Sequence, residues 1–298
     1  MAQSPSAQPV ETASQSSDGA TATPKPERAL IEVSGVTKRF GHLTAVQDCT
    51  LSVAEGSITG LIGPNGAGKS TLFNLVAGAY QPTAGTIWFD GEDITRLTAH
   101  ERFERGLLRT FQIPHEFSNM TVLENLMMVP PSQSGENLFS AWFRRGQVDR
   151  EELDVRQKAE EVVDFLKLTR VKNERAGNLS GGQKKLLELG RTMMVEAKAV
   201  LLDEIAAGVN RTLLRDLAKD IQRLNQEMGY TFFVIEHDMD LIGQLCDPVI
   251  VMASGTVMRD GSIEDIRADE TVIAAYFGDG PTTLAKVADE VNQRGGDA

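Results

Sequence analysis

The chain has 298 residues, 41% of them hydrophobic, and a formal net charge of −12. This length suits one large α/β domain or two small ones. The negative charge argues against a protein that holds nucleic acid by neutralising its phosphates, and no apolar run approaches the ~18–20 residues that a membrane-spanning helix needs.

The two ends of the chain differ in composition from its middle. Residues 1–28 are rich in Ser, Ala, Thr, Gln and Pro, too polar to form a packed core, and predict a disordered tail. Residues 279–298 predict a second polar tail, in which Leu284–Val291 is a candidate short helix. The N-terminus lacks the pattern of a secretory signal. Cys49 and Cys246 have no metal-ligand spacing, and we expect a reducing compartment rather than a disulfide.

Between the tails, residues 29–278 predict alternating strands and helices in one nucleotide domain without internal repeats. The predicted strands are Leu30–Val36, Val46–Val53, Ser57–Ile62, Gly85–Phe89, Leu107–Phe111, Ala199–Leu202, Thr231–Ile235, Val249–Met252 and Thr256–Arg259. The predicted helices are Lys69–Ala77, Glu151–Leu168, Ser180–Val195 and Leu213–Glu227. The alternation indicates a mainly parallel sheet. Residues 115–178 contain no predicted strand and belong to a predicted helical insertion over about 115–195.

A phosphate-binding loop follows the third predicted strand and opens a helix. Its glycines let successive backbone N–H groups turn toward a phosphate, and the helix dipole adds to the attraction. Lys69 is placed to reach the β- and γ-phosphates, Ser70 to hold Mg²⁺ and Thr71 to contact the α-phosphate. The predicted nucleotide-binding residues here are Gly63, Pro64, Asn65, Gly66, Ala67, Gly68, Lys69, Ser70 and Thr71.

Two adjacent carboxylates, Asp203 and Glu204, follow the predicted apolar strand Ala199–Leu202. Ligands of α/β sheets collect at such strand ends. We expect Asp203 to bind Mg²⁺ through water or through Ser70. Glu204 points to the other side of the chain and suits a general base that orients water for attack on the γ-phosphate.

Leu179–Gln183, with the sequence Leu-Ser-Gly-Gly-Gln, is the most informative stretch. Ser180 and Gln183 have the spacing of a helix capping box. Gly181 and Gly182 weaken a helix, so capping alone does not account for them. They would let a second phosphate approach the helix N-terminus, and we expect that phosphate to belong to a nucleotide held by another subunit.

These motifs, in this order, resemble those of ATP-binding-cassette (ABC) ATPases over about residues 30–278. The resemblance implies an α/β P-loop NTPase with a mixed sheet core, an antiparallel β subdomain and a helical subdomain, using ATP and Mg²⁺. It also implies that each ATP lies between the phosphate loop of one chain and the Leu179–Gln183 signature of a second. Three side chains gain roles from it: Phe40 stacks on adenine, Gln112 contacts Mg²⁺ or the water, and His237 senses the γ-phosphate.

The resemblance also assigns 207–210 to the loop at the dimer seam. One position departs from the pattern, because Ile205 stands where ABC proteins usually carry proline after the glutamate. Since proline only stiffens this turn, we expect Ile205→Pro to leave hydrolysis equal or higher.

Four segments resemble a narrower group, the ATPase subunits of branched-chain amino-acid importers (the LivG type). They are Arg109–Gln112, Asn119–Asn125, Ala206–Asn210 and Ala275–Gly278. This resemblance implies transmembrane permease subunits, a second identical or related ATPase subunit, indirect contact with a substrate-binding protein, and no nucleic-acid partner. It places the chain peripherally on the cytoplasmic face of the inner membrane.

The segment Phe111–Glu124 is a candidate groove for a membrane partner, with Phe111, Phe117, Met120 and Val122 as its apolar residues. Residues 113–116 and Arg211 depart from the LivG group, so urea, amides or other amino-acid-like solutes stay open as cargo. Two other functions also stay open: a lipopolysaccharide-type exporter ATPase, and a soluble ABC ATPase acting on ribosomes or DNA. The second usually has paired cassettes or long basic or coiled-coil insertions, and neither is visible in this sequence.

Overall fold

The computed structural model describes residues 28–110, 116–130, 145–206 and 209–277. The strands are β1 (Ala29–Phe40), β2 (Leu43–Ala54), β3 (Ile58–Ile62), β4 (Ala84–Phe89), β5 (Glu92–Asp93), β6 (Leu107–Arg109), β7 (Ala199–Asp203), β8 (Thr231–Ile235), β9 (Val249–Ala253) and β10 (Thr256–Gly261). The helices are α1 (Lys69–Val76), α2 (Ala99–Glu104), α3 (Val122–Met127), α4 (Arg145–Phe165), α5 (Gly181–Met193), α6 (Arg211–Met228), α7 (Met239–Leu245), α8 (Ile263–Ala268) and α9 (Glu270–Phe277). Apart from Arg28, which already contacts Asp90, the predicted tails and the candidate helix Leu284–Val291 lie outside the described residues.

The main sheet has the strand order β10-β9-β3-β8-β7-β6, and its pairs are parallel except β9 with β10. Successive residues of a strand point to opposite faces. In β7, Val200 and Leu202 therefore enter the core beneath the helices, while Leu201 enters the core shared with α1. Both faces are covered, which explains why the central strands are continuously apolar.

The second sheet is antiparallel, in the order β2-β1-β4-β5, and packs with α1 against one face of the main sheet. A fully buried side chain, Arg102, joins these parts. Its guanidinium donates to the last carbonyls of α1, Leu75 at 2.6 Å and Val76 at 2.7 Å, and to Ile94 at 2.7 Å beside β5. Burial lowers the pKa of Arg102 to about 10, so it stays charged at neutral pH. The helix that carries the phosphate loop is thus held at its far end.

The helical part comprises α3, α4 and α5, which pack together on the other face of the main sheet. Capping boxes start α2 at Thr98 and α3 at Thr121. The candidate groove is only partly as predicted. Phe117 is 41% exposed, but Val122 is fully buried in the core because α3 turns that face inward, so Val122 cannot line a surface groove. Phe111 lies outside the described residues.

The predicted arrangement of a mixed sheet, an antiparallel sheet and a helical part is confirmed. Within the described ranges, no helix is both long and apolar enough to cross a membrane. Cys49 and Cys246 are both free and buried. Burial raises their thiol pKa values to about 11 and about 12, so both thiols stay protonated at neutral pH.

Candidate nucleotide-binding and hydrolysis site

The phosphate loop, the two adjacent carboxylates and His237 meet at one edge of the main sheet, where the parallel strands end. Leu61 of β3 pairs with Ile235 of β8, and Ile235 pairs with Asp203 of β7. The phosphate loop, the two carboxylates and the segment after β8 therefore leave the sheet side by side. This is the edge at which ligands of parallel sheets bind.

The phosphate loop needs glycine at two of its positions for reasons visible in the fold. Gly63 has φ 151° and Gly68 has φ 98°. A Cβ at Gly63 would lie 2.1 Å from the Met252 carbonyl oxygen, and one at Gly68 would lie 2.5 Å from that of Ala45. Neighbouring backbone therefore approaches the loop so closely at these two positions that only glycine fits without a clash.

The lysine of the loop folds back over its own backbone. Lys69 Nζ donates to the carbonyls of Gly63 at 2.6 Å and Pro64 at 3.0 Å, and the side chain is 6% exposed. Burial lowers the pKa of Lys69, while the carboxylates of Glu204 and Asp203 act in the opposite direction. The predicted phosphate ligand therefore lies in the same electrostatic neighbourhood as both predicted acidic residues.

The remaining loop residues present a rim to solvent. Asn65, Gly66 and Ser70 are exposed, and Thr71 is partly exposed in the first turn of α1. Ala67 is buried, and its carbonyl accepts from the Gly255 backbone N–H at 3.0 Å. The predicted magnesium ligand Ser70 thus faces the open side of the loop.

Asp203 has a partner that the sequence did not indicate. Its Oδ2 accepts from the Arg109 guanidinium at 2.6 Å, and the two side chains are 18% and 11% exposed. The same guanidinium donates to Asn74 Oδ1 at 2.7 Å, and Asn74 Nδ2 donates to the Ser70 carbonyl at 2.7 Å. Arg109 therefore connects the predicted metal-binding carboxylate with the helix that carries Ser70.

Glu204 and His237 are brought together. His237 Nε2 lies 3.3 Å from Glu204 Oε1, and both side chains are about half exposed. Glu204 has φ 51°, in the left-handed region that residues other than glycine adopt at a cost. Its backbone N–H donates to the Ile235 carbonyl at 3.0 Å, which anchors the turn to β8.

Glu236 is a buried carboxylate between these two residues that sequence reasoning did not single out. It is 3% exposed; its Oε1 accepts from the Ala206 backbone N–H at 2.7 Å and its Oε2 from that of His237 at 3.1 Å. Burial raises its pKa, and the backbone N–H groups counteract part of that effect. An acidic residue directly before the predicted histidine was the available signal.

The surroundings of Ile205 lead to a different prediction for Ile205→Pro than the motif does. It is 4% exposed and packs in the core beneath the helices. Proline at 205 would remove this aliphatic side chain. It would also force residue 204 toward extended conformations, away from the φ of 51° that Glu204 adopts. Ile205→Pro should therefore lower activity, contrary to the expectation from the motif alone.

The signature segment forms a helix start with the predicted capping box. Ser180 Oγ accepts from the Gln183 backbone N–H, and Gln183 Oε1 accepts from the Ser180 N–H at 2.9 Å. Gly181 is exposed, but Gly182 is buried. A Cβ at Gly182 would lie 1.6 Å from Leu213 Cδ2 of α6, so packing within the chain requires this glycine. Of the two glycines, only Gly181 is exposed and so open to a second phosphate.

Phe40 lies at the end of β1 and is 42% exposed. Its ring meets Tyr80 edge-on, with ring centroids 5.4 Å apart, and Lys38 Nζ lies 5.1 Å from the Phe40 centroid. The predicted adenine-stacking residue thus belongs to a small aromatic patch. Asn210 caps α6 through Leu213, whereas Gln112 and residues 207–208 lie outside the described residues.

The comparisons with known proteins agree with this geometry. Residues 46–207 match the family model described as ABC transporter. The chain is 40% identical over 252 residues to a high-affinity branched-chain amino acid transport ATP-binding protein, BraF, of Pseudomonas aeruginosa, covering 85% of this chain and 99% of that protein. It is also 40% identical over 249 residues to a probable protein of the same kind, LivG, of Archaeoglobus fulgidus, covering 84% and 95% of the two chains.

Among solved structures, a nucleotide-free ATP-binding cassette from an ABC transporter matches with a TM-score of 0.72 and 35% identity. That match covers 85% of this chain and all of the other. A second cassette, in its ADP conformation, matches at 34% identity with the same TM-score. The chain therefore belongs to the ABC transporter family as an ATP-binding, ATP-hydrolysing subunit. Within that family, its most similar relatives include the BraF and LivG proteins.

Proposed function

We propose that this chain powers the uptake of branched-chain amino acids or similar small solutes through separate permease subunits, as a peripheral subunit on the cytoplasmic membrane face. The BraF and LivG relatives, named as branched-chain amino acid transport ATP-binding proteins, support this cargo. The observation that carries the ATPase mechanism is the 3.3 Å approach of His237 to Glu204 beside the phosphate loop.

The roles follow from the positions of the side chains. Lys69 leaves its loop carbonyls and binds the β- and γ-phosphates, while Phe40 stacks on the adenine. Glu204 accepts a proton from the attacking water, and His237 holds the Glu204 carboxylate while contacting the γ-phosphate. The exposed Gly181, with Ser180 at the helix N-terminus, binds the nucleotide of a second subunit.

The donor set at the sheet edge suits magnesium. The Ser70 hydroxyl and the Asp203 carboxylate supply oxygen ligands, which Mg²⁺ prefers, and Gln112 completes the predicted set. When bound with ATP, Mg²⁺ neutralises charge on the β- and γ-phosphates. Arg109 occupies one oxygen of Asp203 and keeps that carboxylate pointed along the sheet edge.

The mechanism is tested with Glu204→Gln. We expect this variant to bind ATP with unchanged affinity, because the phosphate-loop contacts stay, and to lose about 100-fold or more in kcat, the scale of general-base catalysis. In the presence of ATP, this variant should also accumulate as a closed dimer, which light scattering would detect. Glu227→Gln is the matched control, since Glu227 has a similar exposure, 57%, at the far end of α6. Turnover within tenfold of the unaltered protein would refute the general-base role.

The cargo is tested in proteoliposomes that hold this chain with its permease subunits and binding protein. Radiolabelled leucine, isoleucine and valine should be taken up only with ATP and not by the Glu204→Gln complex. Uptake of urea or amides alone would replace the proposed cargo. If no permease subunit copurifies with this chain, the transport role is refuted and the ATPase assignment stays intact.

A further inference from the structure

Glu236 follows β8 and is buried at the centre of the hydrolysis site without facing the open side where nucleotide binds. It is 3% exposed. Its two oxygens accept from different segments: Oε1 from the Ala206 N–H at 2.7 Å and Oε2 from the His237 N–H at 3.1 Å. One side chain therefore joins the turn after β7 to the turn after β8.

A carboxylate in such a place carries a desolvation cost that an apolar residue would avoid. Hydrogen bonds from backbone N–H groups offset that cost, since charge-assisted bonds are stronger than neutral ones. Neither segment has regular secondary structure at these residues, and Glu236 provides the hydrogen-bond acceptors that strand pairing would otherwise supply. The arrangement fixes the two turns relative to each other.

The contacts form a closed ring. Ala206 lies two residues after Glu204, and His237 lies next to Glu236. The His237 and Glu204 side chains then meet at 3.3 Å. Both of those side chains are about half exposed, so neither is held by packing on all sides. Their mutual geometry depends on where the two backbone segments lie. The bond from the Glu204 N–H to the Ile235 carbonyl and the bonds that Glu236 accepts from Ala206 and His237 together fix those positions.

We propose that Glu236 is a positioning residue, which holds Glu204 and His237 at the separation that hydrolysis requires by binding the backbone of both turns. The proposal rests on the roles given above to Glu204 and His237. Glu236 is 3% exposed, and in this proposal it acts only through these two neighbours.

Glu236→Gln tests the proposal with almost no change in volume. A carboxamide has one acceptor oxygen, and its NH₂ group would face a backbone N–H donor at either Ala206 or His237. The hydrogen bond to the backbone N–H of one of the two turns is then lost. We expect kcat to fall about tenfold or more, since small misplacements of reacting groups cost up to about 100-fold. The affinity for ATP, titrated with a fluorescent analogue, should stay within twofold because the phosphate loop is untouched.

A double variant separates positioning from general support of the fold. If Glu236 acts through Glu204, Glu204→Gln combined with Glu236→Gln should hydrolyse ATP no more slowly than Glu204→Gln alone. Multiplied losses in the double variant would overturn the proposal. If Glu204→Gln alone leaves turnover intact, the mechanism given under the proposed function fails instead, so the two failures are distinguishable.

Asp220→Asn is the matched control. Asp220 is 2% exposed on α6, and burial raises its pKa as it does for Glu236. This variant should keep kcat within twofold. Glu236→Asp serves as a second variant; its carboxylate is one methylene shorter and reaches only one turn, so it should repeat the loss of kcat and the non-additivity. Failure of both Glu236 variants to fold would overturn the proposal, because the residue would then serve the fold as a whole.

Discussion

Gly182→Ala adds one methyl group at the buried start of α5. The new Cβ would lie 1.6 Å from Leu213 Cδ2 and 2.5 Å from its Cγ, where carbon atoms normally approach to about 3.5–4.0 Å. Leu213 must therefore change rotamer or α6 must shift, at a cost of about 1–3 kcal/mol for overpacking. Alanine returns up to about 1 kcal/mol in helix propensity. We expect a net loss of about 1–2 kcal/mol in the free energy of unfolding.

The assay is a double-mutant cycle with Leu213→Ala, measured by urea unfolding. Removing the leucine side chain removes the atoms that the new Cβ would meet. The loss caused by Gly182→Ala should therefore disappear in the Leu213→Ala background. The coupling energy should be about 1–3 kcal/mol, the overpacking cost, because the helix-propensity gain is the same in both backgrounds. Effects that add within about 0.5 kcal/mol would refute the packing explanation.

Hydrolysis rates of the same proteins distinguish packing from nucleotide contact. If Gly182 serves packing, ATP hydrolysis should recover together with stability in the double variant. Gly181 is the comparison position, since it is exposed. Gly181→Ala should lower hydrolysis with no loss of stability. Persistent loss of hydrolysis in the stable double variant would return Gly182 to the role of nucleotide contact that the motif suggests.

Two further variants test other parts of the structure. Arg102→Met should lower the free energy of unfolding by more than about 3 kcal/mol, because it removes the buried hydrogen bonds that the guanidinium donates to the carbonyls of Leu75, Val76 and Ile94; a thermal midpoint unchanged within 2 °C, on the scale of ~2–4 °C per kcal/mol, would contradict this. Ile205→Pro should reduce kcat several-fold by forcing Glu204 out of its left-handed conformation, whereas Ile205→Val should keep kcat and cost about 0.5–1.5 kcal/mol; equal kcat for the proline variant would refute the backbone argument.

The residues at the sheet edge could be predicted from sequence because the end of each strand is marked by the change from apolar to polar residues. The continuous apolar runs before Asp203 and His237, and the glycine spacing at 63–68, depend only on neighbours along the chain. The predicted helices do not include α2, and α3 is covered only by the predicted helical insertion without bounds of its own. Their capping boxes, starting at Thr98 and Thr121, carry the same signal that indicates a helix start at Ser180.

The partners of the site residues could not be predicted in this way. Arg109 and Asp203 are 94 positions apart, and Glu236 and Ala206 are 30 apart. Both contacts depend on which strands become neighbours in the sheet, and the strand order follows from the packing of the whole domain. The same holds for Gly182, because Leu213, the side chain nearest to it, lies on another helix.

Those long-range contacts also connect the two surfaces that the proposed dimer uses. Asn210 caps α6 by accepting from the Leu213 N–H at 3.0 Å, and Leu213 packs on Gly182 at the start of the signature helix. Glu236 holds Ala206, four positions before Asn210, and so ties this segment to the turn that carries His237. The described contacts therefore lead from the Glu204 turn to α6, and from α6 to the helix start that carries Gly182.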